Sequence, residues 1–320
     1  MWYLGFRSLE RMNKGLPCPY FLKRVIAYWA MTLPAKFRNS VLESQDFLLV
    51  IDDVAFCGMY PYHGTIQRYK VHSARYVHKL PDTISFRNAA SIEPLSVALH
   101  ALRTTPIDVG TPVAVFGAGP IGLLVMAVAR ASGAHPVVIT DVDASRLEFA
   151  KEFEPHCRTY LVNAQGTAQG NAVGIRSLFA GSNGLPTEHD MPALVLECTG
   201  IESSIATAAY IVRRGGRINI VGVSSRPLIN NIPFMHLSLA EIQLRFIKHY
   251  TGTWPAAIQA LEGALIDPEK LTQLVSHEFC LEEAIKAMEL VSGSAGSRER
   301  VVKVQITDYQ GVDESMKVKL

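Results

Sequence analysis

The stretch Val113-Ala-Val-Phe-Gly117-Ala-Gly119-Pro-Ile-Gly122 sends a short apolar run into a Gly-x-Gly-x-x-Gly turn, the arrangement that seats a pyrophosphate at the start of a helix. Gly117 permits the tight turn, Gly119 puts no Cβ between the backbone and phosphate oxygens, and Gly122 lets the helix lie close to its strand. Pro120 and Ile121 fill the first helical turn, where the missing N–H of a proline is not needed. The glycines alone are a weak signal. A second strand ending in an acid about 20 residues further on makes them specific. Pro136-Val-Val-Ile-Thr140 reads as that strand, and Asp141 follows, 19 positions after Gly122. A carboxylate there accepts hydrogen bonds from both adenine-ribose hydroxyls and repels a 2′-phosphate, so the expected ligand is NAD rather than NADP. Arg146, on the following helix, is counted with the cofactor contacts. The alternative is a glycine turn in some other α/β protein, with Asp141 capping the next helix.

These residues need a scaffold, and residues 112 to 247 supply one pattern for it. Short β-rich runs alternate there with helical stretches, as in a doubly wound parallel sheet. Six strands are expected: Val113 to Phe116, Val137 to Thr140, Arg158 to Val162, Ala193 to Glu197, Arg217 to Val221 and Ile242 to Ile247. The helices between them are expected over Ile121 to Ser132, Ala144 to Phe153, part of Gln165 to Ala180, and Ser203 to Val212, each long enough for a right-handed crossover. Gly181 to Pro186 reads as a surface loop. A sheet of this kind presents its ligand at the carboxyl ends of its strands. That places Glu197-Cys198-Thr199-Gly200, at the carboxyl end of the fourth strand, and Val221-Gly222-Val223, at the end of the fifth, as walls of the nicotinamide.

The flanks have a different texture. Before the sheet lie short runs such as Thr65 to Val71, a turn at Leu80-Pro-Asp82, and a helix from about Leu95 to Arg103 introduced by Ile92-Glu93-Pro94. After Trp254-Pro255 come a helix, the run Leu274 to Phe279, a helix over Glu282 to Val291 and a closing strand over Val301 to Ile306. The simplest arrangement makes the two flanks one discontinuous domain with the sheet inserted between them. The expected division is 1–50, 51–105, 106–249 and 250–320.

Composition narrows the class. The 320 residues suffice for two domains with cores. A net charge of +2 carries no footprint for nucleic acid, and the best N-terminal apolar run, Val25 to Leu33, stops at Pro34, short of a membrane span. Cys18, Cys57, Cys157, Cys198 and Cys280 are scattered without a Cys-x-x-Cys pair, which suits a reducing, cytoplasmic setting. The first 38 residues hold seven Lys or Arg and the single acid Glu10, faintly like a transit peptide.

From about Phe56 to Ile306 the chain resembles the medium-chain dehydrogenase/reductase superfamily, and within it the zinc-dependent polyol dehydrogenases of the fungal L-arabinitol, xylitol and sorbitol type. The strings that carry the likeness include Tyr62-His-Gly-Thr-Ile-Gln-Arg-Tyr-Lys-Val-His72, Ile92-Glu-Pro-Leu-Ser-Val97, the glycine turn, Glu197-Cys-Thr-Gly-Ile-Glu-Ser-Ser204, Ile232-Pro-Phe-Met235 and Thr253-Trp-Pro255. The resemblance implies a Rossmann sheet inserted in a discontinuous, here truncated, GroES-like catalytic domain. It implies oxidation of a secondary alcohol of a polyol to a ketone, with hydride passing to NAD and a zinc ion holding the alcohol oxygen. It places Glu93 at that metal, Phe56 over the substrate, and His249-Tyr250 where the family has an Arg-Tyr pair. Imidazole offers fewer donors than guanidinium, so the grip on a polyhydroxylated chain is expected to change. The plainer roles are a helix-capping acid for Glu93 and a half-buried polar residue for His249. Relatives associate through the sheet edge near Arg217 to Val223, so a homo-oligomer is expected.

The resemblance fails over residues 1 to about 50. The family's cysteine and histidine zinc ligands have no counterpart there, and Met59 stands where a small polar substrate contact is expected. Zinc needs about three protein ligands in a catalytic site, so weak or absent zinc binding is expected. Either these residues refold over the exposed faces or they are translated in place of the true exon. Three functions stay open: an NAD-dependent polyol dehydrogenase, a catalytically silent NAD-binding protein, and a zinc-independent reductase using His249 or Tyr250 as proton donor.

Overall fold

A computed structural model of the chain describes residues 63–72, 74–180, 187–293 and 300–308. Phe56, Met59, Cys18, Cys57, the N-terminal segment and the 181–186 loop lie outside the described residues. In chain order the elements are α1 (Phe86–Ala89), α2 (Ile92–Arg103), β1 (Val113–Phe116), α3 (Pro120–Ala131), β2 (Val137–Asp141), α4 (Ala144–Phe153), β3 (Arg158–Leu161), α5 (Ala168–Ser177) and β4 (Leu194–Glu197). There follow α6 (Glu202–Ile211), β5 (Arg217–Ile220), α7 (Phe234–Leu239), β6 (Gln243–Phe246), α8 (Trp254–Glu262), α9 (Pro268–Leu274), β7 (Val275–Cys280), α10 (Ala284–Ser292) and β8 (Lys303–Thr307).

The described residues form two compact units, one joining those up to Glu93 with those from Val275 on, the other running Pro94–Leu274. The sheet-bearing unit is thus wider than the 106–249 that the sequence suggests, and the reason is hydrogen bonding. Asn219 on β5 donates to the Ala101 carbonyl at 2.8 Å, with Thr105 Oγ1 3.0 Å away, and the Thr253 hydroxyl donates to the Ser96 carbonyl at 2.9 Å. These buried bonds tie α2 and the start of α8 to the sheet.

In that unit six parallel strands run in the order β3-β2-β1-β4-β5-β6. β1, β2 and β4 are buried along their whole length, as strands covered by helices on both faces must be, and this is why they read as unbroken apolar runs. Strand order reverses between β1 and β4, so the carboxyl edge opens there. Side-chain oxygens start two of the crossover helices: Asp143 accepts from Ser145 N and Thr167 from Gly170 N. Leu123, Leu124, Val125 and Met126 of α3 are wholly buried, each contributing roughly 1.5 to 3 kcal/mol by leaving water.

In the smaller unit β7 and β8 pair in parallel, and α10 covers them through Ala287, Val304, Ile306, Phe279 and Leu290. The Arg68 guanidinium clamps Asp308 at 2.9 Å and also Glu282, while Arg87 pairs with Glu278 at 3.1 Å.

Local differences from the sequence expectations have local causes. α2 begins at Ile92, not near Leu95, because a proline third in a helix gives up an N–H that has no partner there anyway. Glu282 lies in a 3-10 turn, Leu281–Glu283, ahead of α10. The short helices α7 and α9 escape a sequence reading because Pro233 and Pro268 mask them and their spans are too brief to show a period.

Candidate cofactor-binding site

At the carboxyl end of β1 the chain turns through Gly117, whose φ of +93° lies in the left-handed region, which an L side chain resists. Gly119 then caps α3 with Pro120 in the first turn. A Cβ at Gly119 would meet nothing within 4 Å, whereas one at Gly122 would stand 1.8 Å from the Gly117 carbonyl oxygen. The turn is therefore closed on its protein side and open on the other. Open backbone at a helix N-terminus is where an anion is seated, and the donors there suit a pyrophosphate.

Asp141 ends β2 with 7% of its surface exposed. One carboxylate oxygen accepts from Ala118 N at 2.7 Å, inside the glycine turn, and the other from Asp143 N at 3.0 Å. The acid thus braces the turn that the sequence assigns to pyrophosphate, a second role that spacing alone does not reveal. Each oxygen keeps a lone pair for a hydroxyl. Arg146 lies 3.8 Å from Asp141 and 3.9 Å from Asp143, half exposed.

Beyond β4 and β5 two turns meet face to face. Gly200 has φ +70°, and a Cβ there would lie 2.5 Å from the Val223 carbonyl carbon; one at Gly222 would lie 2.1 Å from Gly200 N. Thr199 also borders the glycine turn, its methyl 2.9 Å from where a Gly117 Cβ would be. Gly222 is more than a strand-ending turn, since no side chain fits there. The residue binding these turns is Glu197, fully buried at the end of β4. Its carboxylate accepts from Thr199 N and Gly200 N, each at 2.9 Å, from Ser204 Oγ at 2.8 Å, and from the Thr199 hydroxyl. Its carbonyl accepts from Val221 N at 2.7 Å and Gly222 N at 2.9 Å. The sequence reading counts Glu197 only as the first residue of the proposed nicotinamide wall; that its carboxylate binds both turns is not visible from spacing. Burial and the Glu197 charge push the neighbouring Cys198 thiol well above its ordinary value.

His249 follows β6 on the same carboxyl edge with φ 54°, a conformation that histidine tolerates better than most side chains. Burial and the Lys248 charge lower its pKa, so it is neutral near pH 7. Tyr250 stacks at a tilt on the buried Trp254, ring centroids 6.0 Å apart. The sheet unit brings the glycine turn, Asp141 and the two wall turns to one edge.

Glu93 belongs to the other unit. It sits in the first turn of α2 with 2% of its surface exposed, and its charge favours the protonated form of Lys303 of β8. Among the described residues no three His, Cys, Asp or Glu side chains converge. The described residues around Glu93 do not by themselves supply the three ligands that a catalytic zinc ion needs.

Residues 120–263 match the family described as zinc-binding dehydrogenase. The chain is 42% identical over 253 residues to L-arabinitol 4-dehydrogenase of Talaromyces emersonii, covering 79% of this chain and 63% of that one. It is 37% identical over 243 residues to Gallus gallus sorbitol dehydrogenase, covering 76% and 64%. Its fold matches 2R,3R-butanediol dehydrogenase of Bacillus subtilis with a TM-score of 0.71 at 21% identity, over 92% of this chain and 76% of that one. The chain spans less than two thirds of the length of the arabinitol and sorbitol enzymes. With the glycine turn and its acid in register on this sheet, residues 120–263 belong to the zinc-binding dehydrogenase family.

Proposed function

We propose that the protein is an NAD-dependent oxidoreductase of the polyol dehydrogenase type, moving a hydride between the cofactor and the carbinol carbon of a small secondary alcohol. The observation that carries this is the open backbone at Gly119 with Asp141 bound into the same turn. Pyrophosphate lies on the N-terminus of α3, the adenine ribose on Asp141, and the nicotinamide between Thr199-Gly200 and Val221-Gly222-Val223. His249 and Tyr250 face the substrate, with His249 neutral and able to give or accept a hydrogen bond.

A second reading, a silent NAD-binding protein, is favoured by one observation: the acid that relatives would turn to a metal has Lys303 beside it. Purified protein incubated with NAD+ and a panel including L-arabinitol and sorbitol separates the two. Formation of NADH supports the dehydrogenase, binding of NADH without turnover supports the silent protein, and failure to bind NADH refutes both.

The partner and location follow the same reading. β6 is a sheet edge, and Phe246 on it, with Phe234, Met235 and Leu239 of α7, is largely exposed, which suits a second copy of this chain covering that edge. A monomer by light scattering would refute this. No helix among the described residues is long and apolar enough to cross a membrane. The free thiols of Cys157, Cys198 and Cys280 suit a reducing, cytoplasmic location.

A further inference from the structure

A buried carboxylate usually has a cation beside it. Glu197 has none: among the described residues no Lys, Arg or His lies within ion-pair distance, and its four side-chain hydrogen bonds all come from neutral donors on Thr199, Gly200 and Ser204. Those donors fix the carboxylate and hold its charge beneath the two turns that flank the proposed nicotinamide. Both oxygens accept, Oε1 from Thr199 and Ser204 and Oε2 from Gly200, so the turns need a carboxylate there, and its charge is left without a cation to balance it.

The nicotinamide ring carries a positive charge in NAD+ and none in NADH. An uncompensated anion in a dry wall beside that ring lowers the energy of the oxidised form alone. We propose that Glu197 is a positioning residue that also sets the cofactor preference of the site, favouring NAD+ over NADH by its charge. This rests on the nicotinamide lying between the two wall turns. Glu197 does not touch substrate or transfer a proton; it shifts the equilibrium between bound NAD+ and bound NADH toward the oxidised form.

Two substitutions separate charge from shape. Glu197→Gln keeps the length and loses the charge, while Glu197→Asp keeps the charge and loses the length. Calorimetric Kd values for NAD+ and NADH are measured on the full chain for the wild type and both variants. The ratio Kd(NAD+)/Kd(NADH) is the readout, because damage to the turns weakens both forms and cancels. The expected result is a ratio raised roughly tenfold in Glu197→Gln and within about threefold of wild type in Glu197→Asp. Equal shifts in the two variants, no shift in Glu197→Gln, or loss of both cofactor forms together would overturn the charge role. A wild-type chain that binds neither form fails the underlying site assignment instead.

Discussion

Adding one methyl group at two glycines three residues apart should produce opposite failures. At Gly119 the backbone (φ −78°, ψ −179°) suits any residue, and a Cβ meets nothing within 4 Å. Gly119→Ala is therefore expected to melt within about 1 °C of wild type. On the proposed placement the methyl points to where the pyrophosphate approaches the backbone, so NADH affinity should fall at least tenfold, or about 1.4 kcal/mol. At Gly122 the same methyl would lie 1.8 Å from the Gly117 oxygen and 3.0 Å from its carbonyl carbon. Helix and turn would have to part by more than about 1 Å, yet α3 is locked by a run of buried side chains from Leu123 to Ala129.

Overpacking of that kind costs about 1 to 3 kcal/mol, and the rigidity of α3 puts Gly122→Ala in the upper half of the range. For a unit of this size the melting temperature should fall by roughly 5 to 10 °C. Differential scanning calorimetry reads the stability arm and NADH fluorescence titration the binding arm. Wild-type affinity in Gly119→Ala would refute the placement of the pyrophosphate. Wild-type stability in Gly122→Ala would refute the packing argument.

Asp141→Ala strips acceptors from Ala118 N and Asp143 N, so it should lower the melting temperature and weaken NAD+ by about 1 to 3 kcal/mol, with NADP+ losing less; equal losses in calorimetric titrations would remove Asp141 from ribose selection. Burial pushes Lys303 down to about 8; the unfolded chain then holds the extra proton between pH 8 and 10.5, so stability should rise by up to about 3 kcal/mol across that window. Chemical denaturation should show this slope in the wild type and not in Lys303→Met. His72, His78, His100 and His249 all have pKa values lowered chiefly by burial. The unfolded chain therefore takes up protons first, and stability should fall as pH drops below 6.5; NMR titration midpoints at or above 6.5 would contradict the burial of these rings. Zinc in the dialysed protein, measured by plasma mass spectrometry, should be well below one per chain; one retained ion per chain would place ligands among residues 1–62.

What the sequence made legible is what local chemistry determines. β1, β2 and β4 declare themselves because strands buried on both faces are apolar up to any polar residues at their carboxyl ends, and the turn between β1 and α3 needs glycines at fixed spacing whatever surrounds it. Long-range partners left no such trace. Nothing near Glu93 in the sequence points to Lys303, 210 positions away, yet that acid's charge favours the protonated form of this buried lysine, a neighbour the Glu-Pro-Leu string does not announce. A ligand acid and a paired acid have the same local sequence, and only the opposing strand distinguishes them.

Asp141 and Glu197 show the same rule at closer range. Each is an acid closing a buried strand of one sheet, and spacing marks only the first as a ligand group because its distance from the glycines is set by the crossover through α3. Both nevertheless act alike in the fold, since each carboxylate accepts from backbone N–H groups of a turn on the carboxyl edge, Asp141 from Ala118 and Glu197 from Thr199 and Gly200. A turn held by a carboxylate has its donors fixed before any ligand arrives, which lowers the ordering cost of binding. On the proposed placement of the cofactor, the edge carries two negative charges, one toward ribose hydroxyls, which need an acceptor, and one toward a ring that becomes cationic on oxidation. An acid that braces a turn for folding would then also act on the ligand by its charge, so under that proposal the residues that hold the turns together select what binds there.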